Sequence, residues 1–165
     1  MRPRTIRTRT QRRIERVESR LSTNESPTPV QVAKAGDSVL EAEEPDLVIY
    51  RLGGVVDGHH LRALRAAEGQ WNEGKPHLLV LVDISRQQSS TMDGRKASTE
   101  PAQGTHNRAI AICGGSRYAQ VLADLATRAM RVLTRTTVPM RFFPDEASGR
   151  AWLFAQRPEL EAKAR

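Results

Sequence analysis

Cysteine is nearly absent from this 165-residue sequence, and long apolar runs are missing altogether. The single cysteine, Cys113, excludes an internal disulfide framework and any cysteine-rich zinc site. No segment approaches the ~18 consecutive apolar residues of a membrane-spanning helix, and no apolar signal-peptide core follows the N-terminus. We therefore expect a protein that is not transmembrane and that resides in the reducing cytoplasm; the length suits one ordinary domain.

Positive charge is concentrated at the N-terminus. The net charge is +7, and residues 1–20 hold eight arginines against two acids, which leaves +1 for the other 145 residues. The basicity thus belongs to a tail and not to the body of the protein. A nucleic-acid interface spread over a folded domain is therefore not expected.

The basic segment and the polar, proline-containing linker after it form a predicted disordered arm over residues 1–29. Three interpretations of the arm stay open: contact with nucleic-acid phosphates, contact with an anionic membrane surface, and an extension without a partner or produced by a misassigned start site. The arm has no aromatic residues, which disfavours base stacking on single strands. The arginines available for weak contacts are Arg2, Arg4, Arg7, Arg9, Arg12 and Arg13.

Strand and helix patterns alternate over residues 30–156, which we predict to be the folded domain. Continuously apolar runs at 78–84 and 109–113 are typical of strands buried on both faces, so we expect them to be parallel neighbours at the centre of a sheet. The alternation predicts an α/β fold, a single sandwich of a mostly parallel central sheet and helices.

The remaining elements are placed by their turn and capping residues. Asp57 is a candidate N-cap for a helix that begins near His59, and Pro144-Asp145 opens a last helix. The C-terminal residues 157–165, which include Pro158, are expected to be frayed. Further predictions are a strand at 47–52 ended by Gly53-Gly54, a weak helix near 93–102, a helix after 114–116, a strand at 138–143 and an antiparallel edge strand within 30–39.

A short motif at the first strand–helix junction resembles a known family. Leu52-Gly53-Gly54-Val55-Val56-Asp57 is similar to the strand–Gly–Asp–helix opening of STAS domains, the fold of the anti-anti-sigma factors, and the order of elements after it is also theirs. Residues 141–147 and 151–153 resemble the divergent bacterial branch, which is sometimes grouped with CRAL-TRIO lipid carriers. The resemblance covers about residues 40–156 and implies a STAS-like sandwich.

The resemblance also implies a regulatory, non-catalytic protein with a serine that a partner kinase phosphorylates. The family pattern is Asp-x-Ser, two residues, then Asp-Ser-Ser-Gly; here Gln88 replaces the second acid and Thr91 the glycine. We expect residues 85–93 to be an exposed loop that binds a protein partner. Its candidate phosphorylation and partner residues, by the match to that pattern, are Asp83, Ser85, Ser89 and Ser90.

A second candidate site lies at the next strand end. Gly114, Gly115 and Ser116 precede a predicted helix and offer an edge for an anion or ligand, although the lysine and spacing of a P-loop are missing. The alternative is a tight turn with Ser116 as N-cap. The four histidines, His59, His60, His77 and His106, lack metal-ligand spacing, so we expect no metal, no cofactor and no catalytic group.

Three functions follow as expectations from these features. The first is a regulatory, protein-binding STAS-like module that is not an enzyme. The alternative is a small-ligand or lipid carrier with a pocket between the sheet and its last two helices. The third is a tether to nucleic acid or an anionic membrane through the arm.

Overall fold

The strands form one sheet in which chain order and spatial order coincide. The computed structural model describes residues 28–101, 104, 107–115 and 138–164, and all structural statements concern these residues. The Arg-rich segment and the helix predicted after Gly115 lie outside them. The elements are β1 (Val30–Ala35), β2 (Ser38–Glu43), β3 (Leu47–Val56), α1 (Gly58–Trp71), β4 (Leu78–Ser90), α2 (Met92–Thr99), β5 (Arg108–Cys113), β6 (Met140–Phe143) and α3 (Glu146–Lys163).

The predicted parallel centre of the sheet is confirmed. β3, β4, β5 and β6 pair in parallel, and β4 lies between β3 and β5. The edge strand expected within residues 30–39 is also present. It is the first strand of a hairpin, β1–β2, which continues the sheet antiparallel to β3.

The apolar run at the start of β4 supplies both faces of the sheet. Leu78 and Val80 pack toward α1 and α2, whereas Leu79 and Leu81 belong to the cluster under α3. Successive strand residues point to opposite faces of the sheet, and helices cover both faces. Residues 78–82 are therefore all apolar.

Two predicted helix caps are present. The Asp57 carboxylate accepts a hydrogen bond of 2.8 Å from His60 N at the start of α1, and the Asp145 carboxylate accepts one of 2.7 Å from Ser148 N at the start of α3. A short carboxylate at the N-cap satisfies a main-chain donor that has no partner within the helix.

From the sequence we predicted that Gly53-Gly54 ends β3, and this prediction is wrong. The strand continues to Val56, and Gly53 N donates to Ser38 Oγ at 3.2 Å. A Cβ on Gly53 would lie 2.6 Å from Asp37 O, and Gly54 has a φ of +58°. The glycines therefore allow the β1–β2 turn to approach β3 closely, and the strand passes through them.

The C-terminal end is helical, which corrects the expectation that residues 157–165 fray. α3 continues through Pro158 to Lys163. Leu160 is 2% exposed in the cluster under α3, and the Arg157 guanidinium donates to both oxygens of Asp46 at 2.7 and 2.8 Å. Proline removes one helical hydrogen bond, but packing on the sheet outweighs that loss.

Leu160→Ala should therefore lower the free energy of unfolding by about 2–3 kcal/mol, because it opens a cavity in a packed cluster. Urea denaturation measures the change, with Glu161→Ala at an exposed position of the same helix as the control. Equal stabilities of the two variants would contradict the packing of this turn.

Candidate functional site: the β3–β4 ribbon

The segment predicted as a serine loop is the second half of β4. Beyond the pair Asp83↔Cys113, β4 leaves β5 and, among the residues that the structure describes, pairs with β3 alone. We call the resulting two-stranded part, residues 53–56 with residues 86–90, the ribbon. Its register pairs are Gly53↔Arg86, Gly54↔Gln87, Val55↔Ser89 and Val56↔Ser90. The prediction of a loop over residues 85–93 is therefore wrong for residues 85–90. These residues are polar, but main-chain pairing with β3 keeps them in an extended strand.

Two register shifts change the direction of the β4 side chains. Between Arg51↔Asp83 and Gly53↔Arg86, and again between Gly54↔Gln87 and Val55↔Ser89, β4 contains one more residue than β3. Such bulges bend and twist a strand and redirect its side chains.

The carboxylate of Asp83 has partners within the protein. One carboxylate oxygen accepts from Ser85 N at 2.9 Å, and the other lies 3.4 Å from Arg51 Nη1. This carboxylate closes the first bulge and pairs with a cation, so its contacts are structural. Of the four candidate residues, the structure brings Asp83 and Ser85 together at the base of the ribbon.

The two candidate serines higher on the ribbon differ. Ser90 is half-buried, and its hydroxyl donates to Val56 O at 3.3 Å and to Thr91 O at 3.5 Å. Ser89 is exposed, and within the described residues its hydroxyl has no hydrogen bond. Ser89 is therefore the more accessible hydroxyl.

Two exposed apolar side chains near the ribbon were not singled out from the sequence. Val55, the register partner of Ser89, is 55% exposed, and Met92, in the first turn of α2, is 79% exposed. Their signal in the sequence was weak, because single valines and methionines are common in any segment.

The same surface carries cations that form no ion pair among the described residues, namely Arg86, Arg95 and Lys96. The Arg95 guanidinium donates to Ser90 O at 3.3 and 3.4 Å. The nearby acid Asp93 is paired with Arg62 at 2.9 Å. We call the set Val55, Arg86, Ser89, Met92, Arg95 and Lys96 the ribbon surface. Val55 and Ser89 lie on the sheet face opposite Val56, which packs toward α1 and α2, whereas Met92, Arg95 and Lys96 belong to α2.

An ion-pair network anchors the base of the ribbon on the α3 side. Arg51 donates to Glu41 at 2.8 Å and to Glu146 at 2.8 Å, and Arg150 donates to Glu146 at 2.8 Å and to Glu43 at 2.6 Å. The hydrogen bond from Arg51, followed by that from Arg150, lowers the pKa of Glu146 below its usual value. The network ties β2, β3 and α3 together.

Cys113 ends β5 beside this network and is 2% exposed. Burial, with the neighbouring carboxylates of Asp83 and Glu146, raises the pKa of its thiol to about 11. The thiol is protonated at neutral pH, so it lacks the thiolate that a nucleophile requires.

The glycine edge is only partly described. Gly114 and Gly115 have φ values of +88° and +76°, and a Cβ on Gly114 would lie 2.6 Å from Ser85 N. These two residues turn the chain out of the sheet beside the base of the ribbon. Ser116 lies outside the described residues, so an anion site at Gly114, Gly115 and Ser116 stays a prediction.

The described histidines form structural contacts. His60 Nδ1 lies 3.1 Å from Asp57 at the α1 cap, and His77 Nε2 lies 2.7 Å from the buried Asp46 at the opposite edge of the sheet. His106 is outside the described residues. Within the described part of the chain, no three His, Cys, Asp or Glu side chains are grouped to hold a metal ion.

A cavity of about 470 Å³ lies on the other face, between the sheet and the helices α1 and α2. The carrier hypothesis placed a pocket beside the last two helices, but α3 packs on the opposite face, and the helix predicted before it is not described. Most of the lining is apolar and comes from Leu52, Leu61, Val80, Val82, Ile110, Ile112, Val138 and Met140.

Three buried polar residues contribute to the wall of this cavity. Tyr50 Oη donates to Glu68 at 2.5 Å, and Arg108 Nη1 donates to the other oxygen of Glu68 at 2.8 Å. Burial, and then the charge of Glu68, raises the pKa of Tyr50. The sequence analysis missed Glu68, although its spacing from Leu61 and Leu64 puts it on the apolar stripe of α1.

Comparison with known proteins identifies the fold. No protein-family model matches the sequence, and no curated protein matches it. The chain is similar to the crystal structure of an uncharacterized protein of the DUF3478 family from Shewanella loihica PV-4, which has a SpoIIAA-like fold. The TM-score is 0.51 at 16% identity, over 76% of this chain and 97% of that chain. The STAS-like fold implied by the sequence resemblance is confirmed.

In the described part of the chain, no helix has the length and apolar character needed to cross a membrane.

Glu146→Gln should lower the free energy of unfolding at neutral pH and have less effect in acid. The folded-state pKa of Glu146 is depressed, so its contribution is present above the usual pKa of 4.5 and is lost as the pH falls through the folded-state value. Urea denaturation from pH 7 to pH 3 measures the difference, with Glu159→Gln, exposed on the same helix, as the control. A difference that grows toward pH 3 would contradict this role.

Proposed function

We propose that this protein is a non-catalytic regulatory module of the STAS type that binds a protein partner through the ribbon surface. The observation that carries the proposal is the position of Ser89, an exposed hydroxyl beside exposed Val55 on the same strand as Arg86, a cation that forms no ion pair among the described residues. These groups stand on paired strands, so they keep a fixed arrangement. A rigid platform of this kind favours recognition.

Phosphorylation of Ser89 is the regulatory step that fits this surface. A phosphate adds about −1.5 to −2 charges and three acceptor oxygens. It would stand on the same strand as Arg86, which has no ion pair among the described residues, and would add negative charge to the ribbon. Ser90 fits less well, because its hydroxyl donates to main-chain carbonyls.

No catalytic role is part of the proposal. The carboxylate of Asp83 is engaged by Ser85 and Arg51, and the Cys113 thiol is buried. Contact of the Arg-rich arm with nucleic acid or an anionic surface, and location in the cytoplasm, stay predictions.

Ser89→Asp should abolish partner binding that Ser89→Ala retains. The aspartate adds negative charge to the ribbon surface, whereas exposed substitutions usually change stability by less than about 0.5 kcal/mol. The measurement is affinity capture from lysate of the source organism with quantitative mass spectrometry, together with thermal melting of each variant. Ser98→Asp, at an exposed position of α2, is the matched charge control. Recovery of the same proteins by wild type and Ser89→Asp would contradict the proposal.

A second candidate function, carriage of a small apolar ligand, is favoured by the cavity. A volume of about 470 Å³ with a few buried polar groups lies within the range of ligand sites. The trio of Tyr50, Glu68 and Arg108 could orient a polar end of such a ligand.

Val82→Trp should reduce any bound ligand, because the indole would occupy the cavity. Native mass spectrometry of protein purified from its own host detects a co-purifying small molecule, and Val55→Trp, at an exposed position, is the control. A wild-type protein without a bound molecule, or equal occupancy in both variants, would contradict the carrier function.

A further inference from the structure

The outer edge of the ribbon has no neighbouring strand. On one side, residues 86–90 pair with β3; on the other, β5 has ended opposite Asp83, and Gly114 turns its chain away beside Ser85. Within the described residues, no strand takes the place that β5 leaves. A strand edge of this kind offers a row of main-chain donors and acceptors to an added strand.

The carbonyl of Ser90 faces this edge. Thr91 N donates to Val56 O at 3.0 Å, and in a parallel ladder this turns the main chain of Ser89 toward β3 and that of Ser90 away from it. Ser90 O accepts from the Arg95 guanidinium at 3.3 and 3.4 Å, and an incoming main-chain donor could replace this flexible side chain. The extra residue at Gln88 twists the strand, which limits the matching partner to a short segment.

The charge of the surroundings selects the partner. Arg86, Arg95 and Lys96 are exposed and form no ion pair among the described residues, whereas Asp93 shares Arg62 with Glu100, and Asp83 shares Arg51 with Glu41 and Glu146. Complementary charge speeds association and discriminates between partners. An acidic segment fits this edge, and a basic one does not.

We propose that residues 86–90 bind a short, extended, acidic segment of the partner as an added strand parallel or antiparallel to β4. The inference rests on the proposed function and specifies how the ribbon surface recognises its partner. A phosphate on Ser89 would repel the acidic segment, which makes phosphorylation an off-switch.

The test uses the full chain and a fluorescein-labelled peptide of sequence Glu-Val-Glu-Val-Glu-Val-Glu, followed by anisotropy. We expect binding that weakens as NaCl is added and that is stronger than for the lysine counterpart, Lys-Val-Lys-Val-Lys-Val-Lys. Gln88→Pro should weaken binding about tenfold relative to Gln88→Ala, the equivalent of one or two lost main-chain hydrogen bonds. Gln88 has no register partner in β3, so the proline spares the register pairs of the ribbon.

The Arg-rich arm is common to all variants, so differences between them report on the ribbon. Arg86→Glu should weaken binding, while Lys34→Glu, the same charge change on the distant strand β1, should not. If Gln88→Pro fails to fold, as judged by circular dichroism, hydrogen exchange of wild type decides: amides of residues 86–90 should gain protection when the peptide is added.

The inference is overturned if wild type does not bind the acidic peptide, if all variants bind it equally, or if protection appears elsewhere. The proposed function is judged separately by Ser89→Asp and its partner capture. Loss of capture in Ser89→Asp together with no peptide binding would reject strand addition and leave the regulatory surface in place.

Discussion

The pairing of β3 with β4 is the constraint on which the rest of the structure depends. It extends from Leu47↔Leu79 to Val56↔Ser90, and it serves two different purposes along its length. In the first half, β4 is buried on both faces and holds α1, α2 and α3 to one sheet. In the second half, the same ladder continues beyond the core and forms a polar ribbon. The candidate site is thus an extension of the most buried strand pair.

The parts of the fold that could be predicted from the sequence are those that depend on residues close together in the chain. The nearly continuous apolar run at 78–84 indicated burial on both faces and located the centre of the sheet. Asp57 and Asp145 cap their helices through contacts three residues away. The right-handed crossover rule then made the central strands parallel.

The parts that could not be predicted depend on distant contacts. Residues 86–90 are polar and show no alternation, and only pairing with β3 makes them a strand. Pro158 suggested the end of the domain, but Arg157 reaches Asp46, 111 positions earlier in the chain, and Leu160 fills the cluster under α3. Glu68 joins an apolar stripe because Arg108 and Tyr50 satisfy it, and neither is near it in sequence.

The candidate site also depends partly on residues that are distant in the chain. The family pattern directed attention to residues 83–90, where Ser89 is exposed, and its role there stays a prediction. The pattern could not separate Ser89 from Ser90, since that distinction depends on the carbonyl of Val56 on the neighbouring strand. The apolar and basic groups of the ribbon surface come from three elements, so no single stretch of sequence displays them together.

Amide hydrogen exchange along β4, followed by NMR in the free protein, tests the central claim most directly. If β4 is one strand with a buried and an exposed half, amides of residues 78–82 exchange only on global unfolding. Within residues 86–90, amides that face β3 are protected, while those that face outward exchange close to the rate of an unfolded chain. Unprotected amides throughout residues 86–90 would show a loop in place of the ribbon and would contradict the account.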